Sequence, residues 1–476
     1  MAVYVCAVCG YMYDESAEDT PWDDLPDDWK CPVCGNGKEF YYPEESAGSE
    51  SSSNRDSDVA GDTAGSAEAA GLGNELKPSG EAAESHLTDI NIMAESGESI
   101  VEPMRTREPV ISWDEILVLG AQIARLPLND QDPVSTITVI GPDAAQPLEL
   151  DSPIIISHMS FGALSREAKL ALATGSAAAR TAMSSGEGGI LPEAMEKSYR
   201  YVFEYVPNRY SVTEEHLARV DAVEIKLGQS AKPGMGGHLP GNKVTPEIAR
   251  IRGFAEGEDI ISPAHHDDIT TPEELARKVS WLRGASGGKP VGVKLAAGNL
   301  EADIEAVMRS KPDFITIDGR AGATGAAPKY IKRSASVPTI FALERARTLL
   351  DNYKTRPSLI VTGGFRISSD FIKALAMGAD AVALGTAALI AIGCKQYRIC
   401  HTGRCPVGIT TQDSELRKNL DPDRAATRLS RYLSVCLNEM KAFARLCGHD
   451  DLHAMSIEDL CTTNSEVSEH TRIAHA

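Results

Sequence analysis

The chain predicts an α/β protein built on an eight-stranded parallel (β/α)8 TIM barrel, with a small metal-binding unit ahead of it and a metal-binding loop behind it. Three observations carry that prediction. Short apolar runs alternating with helical patterns recur eight times beyond residue 150, as strands buried on both faces require. Two Cys-x2-Cys pairs open the chain, and Cys394, Cys400 and Cys405 follow the last apolar run in a C-x5-C-x4-C spacing. At 476 residues and 42% hydrophobic content, the chain suffices for one small and one large domain with a buried core.

Residues 1–43 form the first expected unit. Cys6-x2-Cys9-Gly10 and Cys31-Pro32-x-Cys34-Gly35 are two knuckles whose glycines let the backbone turn amides toward sulfur. Four thiolates suit either zinc or iron. The dense aromatics Tyr4, Tyr11, Tyr13, Trp22, Trp29 and Phe40 favour a mononuclear iron. Residues 44–85 are Ser, Gly, Ala, Asp and Glu with almost no large apolar side chain, too polar to offset the entropy of folding, and so read as a flexible, disordered acidic linker. Such a tether has a typical reach of ~35 Å. Residues 1–100 hold 22 Asp and Glu against 4 Lys and Arg, so nearly all of the net charge of −21 sits there. That acidity either steers the unit toward a basic patch or simply keeps the tether solvated, and it argues against nucleic-acid binding.

Residues 86–150 are a lead-in segment containing Ile111-Ser112-Trp113-Asp114. Residues 151–476 are the barrel, with its cysteine loop and C-terminal helices. The expected strands are 153–157, 181–184, 222–227, 259–262, 291–295, 314–318, 359–362 and 381–384. Catalytic residues of such barrels stand just after the strands. Here those positions hold Met159-Ser-Phe-Gly162, Ser185-Gly-Glu-Gly-Gly189, Gly228-Gln229, Asp318-Gly319, Gly363-Gly364 and Gly385-Thr386. The last two glycine pairs serve either tight turns or a phosphate held on backbone amides, as in a flavin mononucleotide.

Zinc sites take four ligands, commonly in close pairs, whereas a cuboidal cluster lacking one iron needs three thiolates, so the C-terminal cysteines point to a 3Fe-4S centre. Two one-electron sites in one chain imply a redox relay, and a flavin would convert single electrons into a hydride. Of the ten cysteines, Cys436, Cys447 and Cys461 lack ligand spacing and are expected to be packing or surface thiols. Reduced metal-binding thiols, no apolar run near the ~20 residues that span a bilayer, and no signal-like N-terminus place the protein in the cytoplasm and away from membranes.

Residues 4–14 and 25–35 (Tyr4-Val-Cys-Ala-Val-Cys-Gly and Trp29-Lys-Cys-Pro-Val-Cys-Gly35) resemble a short-loop rubredoxin, a one-electron iron protein. The runs His158-Met-Ser-Phe-Gly-Ala-Leu-Ser165, Ser185-Gly-Glu-Gly-Gly189, Ile225-Lys-Leu-Gly-Gln-Ser-Ala-Lys-Pro-Gly234, Ser262-Pro-Ala-His-His-Asp267, Gly322-Ala-Thr-Gly325 and the three-cysteine loop resemble the synthase domain of glutamate synthases. The uninterrupted Gly234-Met-Gly-Gly-His-Leu-Pro-Gly241 is most similar to the compact archaeal-type subunit.

That resemblance implies FMN contacts at Met159, Ser160, Gly162, Ser185, Gln229, Lys294, Gly363, Gly364, Gly385 and Thr386. It implies catalytic roles for Lys232, as a fixed cation at the flavin edge and substrate carboxylate, and for Arg252, whose planar fork suits a dicarboxylic keto acid. Larger synthases commonly carry Gln or Glu at His238 and acidic residues at Met235, so His238 is expected to hydrogen-bond the keto acid in a different way. Adjacent His265 and His266 project differently and are expected to order a loop rather than chelate.

The implied activity is reduction of 2-iminoglutarate, formed from 2-oxoglutarate and ammonia, to L-glutamate, with electrons passing from the rubredoxin iron through 3Fe-4S to FMN. Full-length glutamate synthases begin with a glutaminase domain whose N-terminal cysteine is the nucleophile, where this chain reads Met1-Ala2 and a rubredoxin-like unit, so ammonia is expected to come from elsewhere; no Gly-x-Gly-x-x-Gly follows a strand. A separate glutamine amidotransferase and electron-donor proteins, NADPH-linked through a partner or ferredoxin- or rubredoxin-linked, are the expected partners. The alternatives are a related FMN oxidoreductase acting on N-substituted glutamate or another amino acid, and a non-catalytic electron-transfer subunit.

Overall fold

In the computed structural model, residues 3–6, 12–15, 20–26, 28–32, 37–38, 41–43, 84 and 86–476 are described. Contacts divide the chain into two units, Met1–Ile100 and Val101–Ala476. Nearly all of the linker predicted over 44–85 lies outside the described residues, as do Cys9 and Cys34.

In the first unit, strand Val3–Cys6 pairs antiparallel with Met12–Asp14 on one side and Tyr41–Pro43 on the other. The aromatic residues form its core. Trp22 stacks on Tyr4 at 4.5 Å between ring centroids, and Tyr13, Trp29 and Tyr41 meet Trp22 at 4.7–5.5 Å. Such pairs add to the area they bury, which matters in a unit too small for an aliphatic core. Cys31 is buried beside them.

The second unit closes eight parallel strands into a barrel: β1 (Ile154–Ile156), β2 (Ala182–Ser184), β3 (Arg200–Tyr205), β4 (Ala222–Lys226), β5 (Val291–Ala296), β6 (Phe314–Asp318), β7 (Ser358–Thr362) and β8 (Ala381–Leu384). Each strand pairs with its neighbour in sequence, and β8 pairs back to β1.

One expected strand is displaced. Residues 259–262 do not enter the barrel; Ile260–Ile261 forms an antiparallel ribbon with His238–Leu239, and Ile261 is exposed. The third barrel strand is Arg200–Tyr205, in which Tyr201, Val202, Phe203, Glu204 and Tyr205 are all buried. Arg200, partly exposed and paired with Asp221, and Glu204, buried beside Lys294, interrupt its apolar pattern and disguise it in sequence.

The barrel interior has two layers. Ile155, Ala182, Val202, Ala222, Phe314, Ile360 and Ala381 pack with Ile140, Leu148 and Leu150 from a hairpin of the lead-in segment, which plugs one end. Towards the other end the inward side chains are polar: Glu204, Glu224, Lys294 and Thr316. The hydrophobic effect thus seals one end and leaves the other chemically reactive. The long helix Pro422–Leu446, begun by Asp421 accepting from the amides of Asp423 and Arg424, packs on helix Arg166–Ala178 outside the barrel.

Candidate active site

The C-terminal ends of the strands surround a cleft enclosing about 1800 Å³ of space open to solvent. It brings together residues far apart in sequence: Met159, Ser160, Gln229, Lys232, Arg252 and Lys294, the glycines Gly363, Gly364 and Gly385 with Thr386, and all three of Cys394, Cys400 and Cys405.

Arg252 is delivered by a short helix, Pro246–Arg252, whose limits are written locally. Thr245 caps it by accepting from the Ile248 amide, proline occupies the first turn, and Gly253 ends it in the left-handed region at φ 74°. The guanidinium is only 8% exposed and donates from Nη2 to the Phe161 carbonyl at 2.6 Å. A Cβ at Gly162 would lie 3.0 Å from that Nη2, and one at Gly188 would lie 2.9 Å from it. These two glycines keep the lane open. Burial holds the guanidinium below its ordinary pKa, and its Nε has no partner.

Lys232 is also buried and donates to the Gly236 carbonyl at 2.8 Å. Burial, assisted by the Lys226 charge, pushes it down to about 8. Nearby, Lys226 is ion-paired with Glu187 and donates to Gln229 Oε1 at 2.8 Å. Burial alone would raise the Glu187 carboxyl, but Lys226, Ser262 and Lys232 outweigh it and hold the group at about 2. Glu187 lies within the quoted Ser185–Gly189 motif, yet its role was not legible there; the signal that could have found it is a lone acid inside a glycine run.

Deeper in the barrel, Lys294 pairs with Glu204 at 3.4 Å, and His158 pairs with Glu224, which also accepts from Thr316. Burial would raise Glu224, but His158, Lys294 and the Thr316 hydroxyl keep it below the usual carboxylate range. Lys169, fully buried on its helix, donates to the carbonyls of Met159, Ser184 and Ser185 at 2.8–3.2 Å and ties the loops after β1 and β2 together.

Three expected residues sit differently. Ser185 does not line the cleft; its hydroxyl accepts from the Glu204 amide at 2.9 Å and donates to the Gly186 carbonyl. Gly162 acts from behind, beside Arg252. His238 reaches the rim of the cleft, but it is exposed on its ribbon and bonded to Asp259 at 2.8 Å. The histidine pair diverges: His265 is exposed, while His266 is buried, stacks on Tyr205 and bonds the Lys226 carbonyl at 3.0 Å.

The chemistry of these groups fits the implied cofactors. Glu204 Oε2 and Arg252 Nε are buried without partners, as groups awaiting a polar ligand would be. A Cβ at Gly385 would meet nothing within 4 Å, so the cleft wall there is bare backbone. Trp113 of the lead-in segment stacks on Phe365 at 5.2 Å and steadies the Gly363-Gly364 turn. The three cysteines carry no disulfide, and burial pushes Cys394 up to about 11, with Cys400 and Cys405 close enough to raise it further. Of these thiols Cys405 is buried and the other two are partly buried, and thiols in such surroundings ionise far more readily beside positive charge, which a metal centre supplies. Cys436, Cys447 and Cys461 are buried and do not line the cleft.

A parallel barrel whose open end gathers buried cations, a backbone-lined recess and three thiols defines an oxidoreductase. Residues 94–450 match the conserved region in glutamate synthase, and residues 3–41 match rubredoxin. The chain belongs to the glutamate synthase family and carries a rubredoxin domain. It is 37% identical over 408 residues to the glutamate synthase large subunit-like protein of Rhizobium meliloti, covering 81% of this chain and 92% of that one. It is 36% identical over 394 residues to the archaeal-type glutamate synthase [NADPH] of Thermotoga neapolitana, covering 77% of each. Identity to the archaeal glutamate synthase [NADPH] of Methanocaldococcus jannaschii is 43% over 313 residues, 65% of this chain and 61% of that one. Family membership implies a flavin and an iron-sulfur centre, and the rubredoxin domain supports iron binding. Among the described residues, no helix is long and apolar enough to cross a membrane.

Proposed function

We propose that this chain is a glutamate synthase subunit of the cytoplasm that reduces 2-iminoglutarate, formed from 2-oxoglutarate and ammonia, to L-glutamate. The observation that carries this is the single cleft shared by Lys232, Arg252 and the three cysteines. Met159, Ser160, Gln229, Lys294, Gly363, Gly364, Gly385 and Thr386 would hold FMN, with Gly162 and Ser185 supporting the loops; a 3Fe-4S centre would sit on Cys394, Cys400 and Cys405, and a mononuclear iron on Cys6, Cys9, Cys31 and Cys34. When bound, FMN would supply the hydride and the two iron centres its electrons, one at a time.

The protein's own groups do the rest. Arg252 clamps one carboxylate of the keto acid, and Lys232 neutralises the charge at the other end. Glu187 stays ionised between Lys226 and Lys232, which keeps both lysines in place and the pocket poised for an anion. Ammonia and electrons come from partners, a glutamine amidotransferase and a donor protein.

Anaerobic purification with iron, sulfide and flavin analysis, followed by a glutamate assay with 2-oxoglutarate and a chemical reductant, tests this. Ammonia, glutamine and methylamine are supplied separately. Glutamate from ammonia supports the assignment; N-methylglutamate alone, or no product from a flavin-loaded protein, refutes it.

A further inference from the structure

We propose that Lys243 is a positioning residue of the redox centre: it pins the cysteine loop to the substrate-side ribbon and sets the reduction potential of the three-thiolate site. The inference rests on Cys394, Cys400 and Cys405 being that site's ligands.

Lys243 ends the short turn Gly241–Lys243, which follows the ribbon strand His238–Leu239 and precedes the helix bearing Arg252. Its side chain leaves this substrate-side segment and crosses to the loop, where Nζ donates to the Cys400 carbonyl at 2.7 Å. It is 5% exposed, lines the same cleft and, among the described residues, has no ion pair. A buried ammonium without a carboxylate is costly unless something else supplies negative charge. Burial holds the Lys243 ammonium below its ordinary pKa, and the Cys400 and Cys405 thiols are the neighbours that oppose that shift.

Two glycines shape the path. Gly403, within the loop, holds the left-handed region at φ 75°, and a Cβ there would lie 2.9 Å from Lys243 Cε, so the lysine packs against its bare backbone. The Gly241 amide donates to Asp259 Oδ1 at 2.7 Å, and the other oxygen of Asp259 holds His238, so the turn is anchored to the ribbon at its root. Ribbon, Arg252 helix and cysteine loop are thereby linked through one side chain.

The energetic consequence has a definite sign. One-electron reduction adds negative charge to the centre, and a buried ammonium bonded to the Cys400 carbonyl of the ligand loop favours the reduced form. Removing that charge lowers the midpoint potential.

The test is an EPR-monitored redox titration of the full-length holoprotein, with iron and sulfide content measured in parallel, for wild type, Lys243→Gln and Lys243→Met. A shift of the reduction equilibrium by at least tenfold, or about 59 mV lower for one electron, is expected in both variants. An unchanged midpoint potential with normal iron content overturns the proposal. If neither variant assembles the centre, Lys243→Arg decides: recovery of the signal supports a requirement for charge, and failure to recover assigns Lys243 to packing alone and overturns the proposal. The underlying ligand assignment fails separately, if Cys400→Ser retains the full iron-sulfur signal.

Discussion

Replacing Arg252 with Met tests the substrate-binding assignment most directly, because the side chain is nearly isosteric along its stem and the charge is removed. In the folded protein the guanidinium spends one Nη2 hydrogen on Phe161 and leaves Nε unpartnered at 8% exposure. Tyr210 also hydrogen-bonds the guanidinium, and the donors left over are those a carboxylate in the cleft would take. A hydrogen bond to a charged group contributes about 1.5–3 kcal/mol, so a two-pronged contact contributes roughly 3 kcal/mol once the cost of orienting the ligand is deducted. At about 1.4 kcal/mol per tenfold, KM for 2-oxoglutarate should rise about 100-fold. Arg252→Lys keeps the charge but loses the fork, and an intermediate rise is expected. Burial already disfavours the charge, so the Met variant should melt close to wild type. Initial rates at matched flavin and iron content, with 2-oxoglutarate varied at saturating ammonia, measure the effect. A KM within threefold of wild type would refute the reasoning, as would an equal fall in affinity for FMN.

Lys232 is cationic below about 8 and neutral above it, so kcat/KM for the keto acid should fall as pH rises through about 8, and that limb should vanish in Lys232→Met; a flat wild-type profile from pH 7 to 9.5 counts against the role. Cys400→Ser should abolish the iron-sulfur signal and electron delivery while FMN remains bound, and flavin loss with an intact cluster would contradict the placement. Glu187 has a folded-state pKa of about 2, below its unfolded value, so its stabilisation is present above about pH 4.5 and is lost as pH falls through about 2. Glu187→Gln should cost about 3 kcal/mol at pH 7, seen as a lower midpoint in urea unfolding, and should cost little at pH 2. Equal losses at both pH values would show that the pairing with Lys226 is not the cause.

Much of the fold was legible because its signals are local. Seven expected strands overlap barrel strands, each a short run that buries both faces and ends at a turn. Arg200–Tyr205 escaped because Arg200, partly exposed and paired with Asp221, and the buried Glu204 interrupt its apolar run, and only the closed barrel brings Lys294 to Glu204. Residues 259–262 misled because two apolar residues suffice for a ribbon with one exposed face. The site divides in the same way. Glycines after strands and cysteine spacings are written in consecutive residues, while the partnership of Arg252 with Phe161 spans 91 positions and that of Lys243 with Cys400 spans 157.

Spacing and alternation, which any single stretch carries, were therefore enough to settle the barrel class and the cysteine signatures. The chain alone also placed the cleft-lining loops at strand ends. Closure of the barrel decided the rest. It put Glu187, Lys226, Glu204, Glu224, Lys294 and His158 within one another's fields, gave Lys232 its depressed pKa, and turned His238 to Asp259 at the rim. Electrostatic energies depend on distance and burial, and neither exists until remote segments meet.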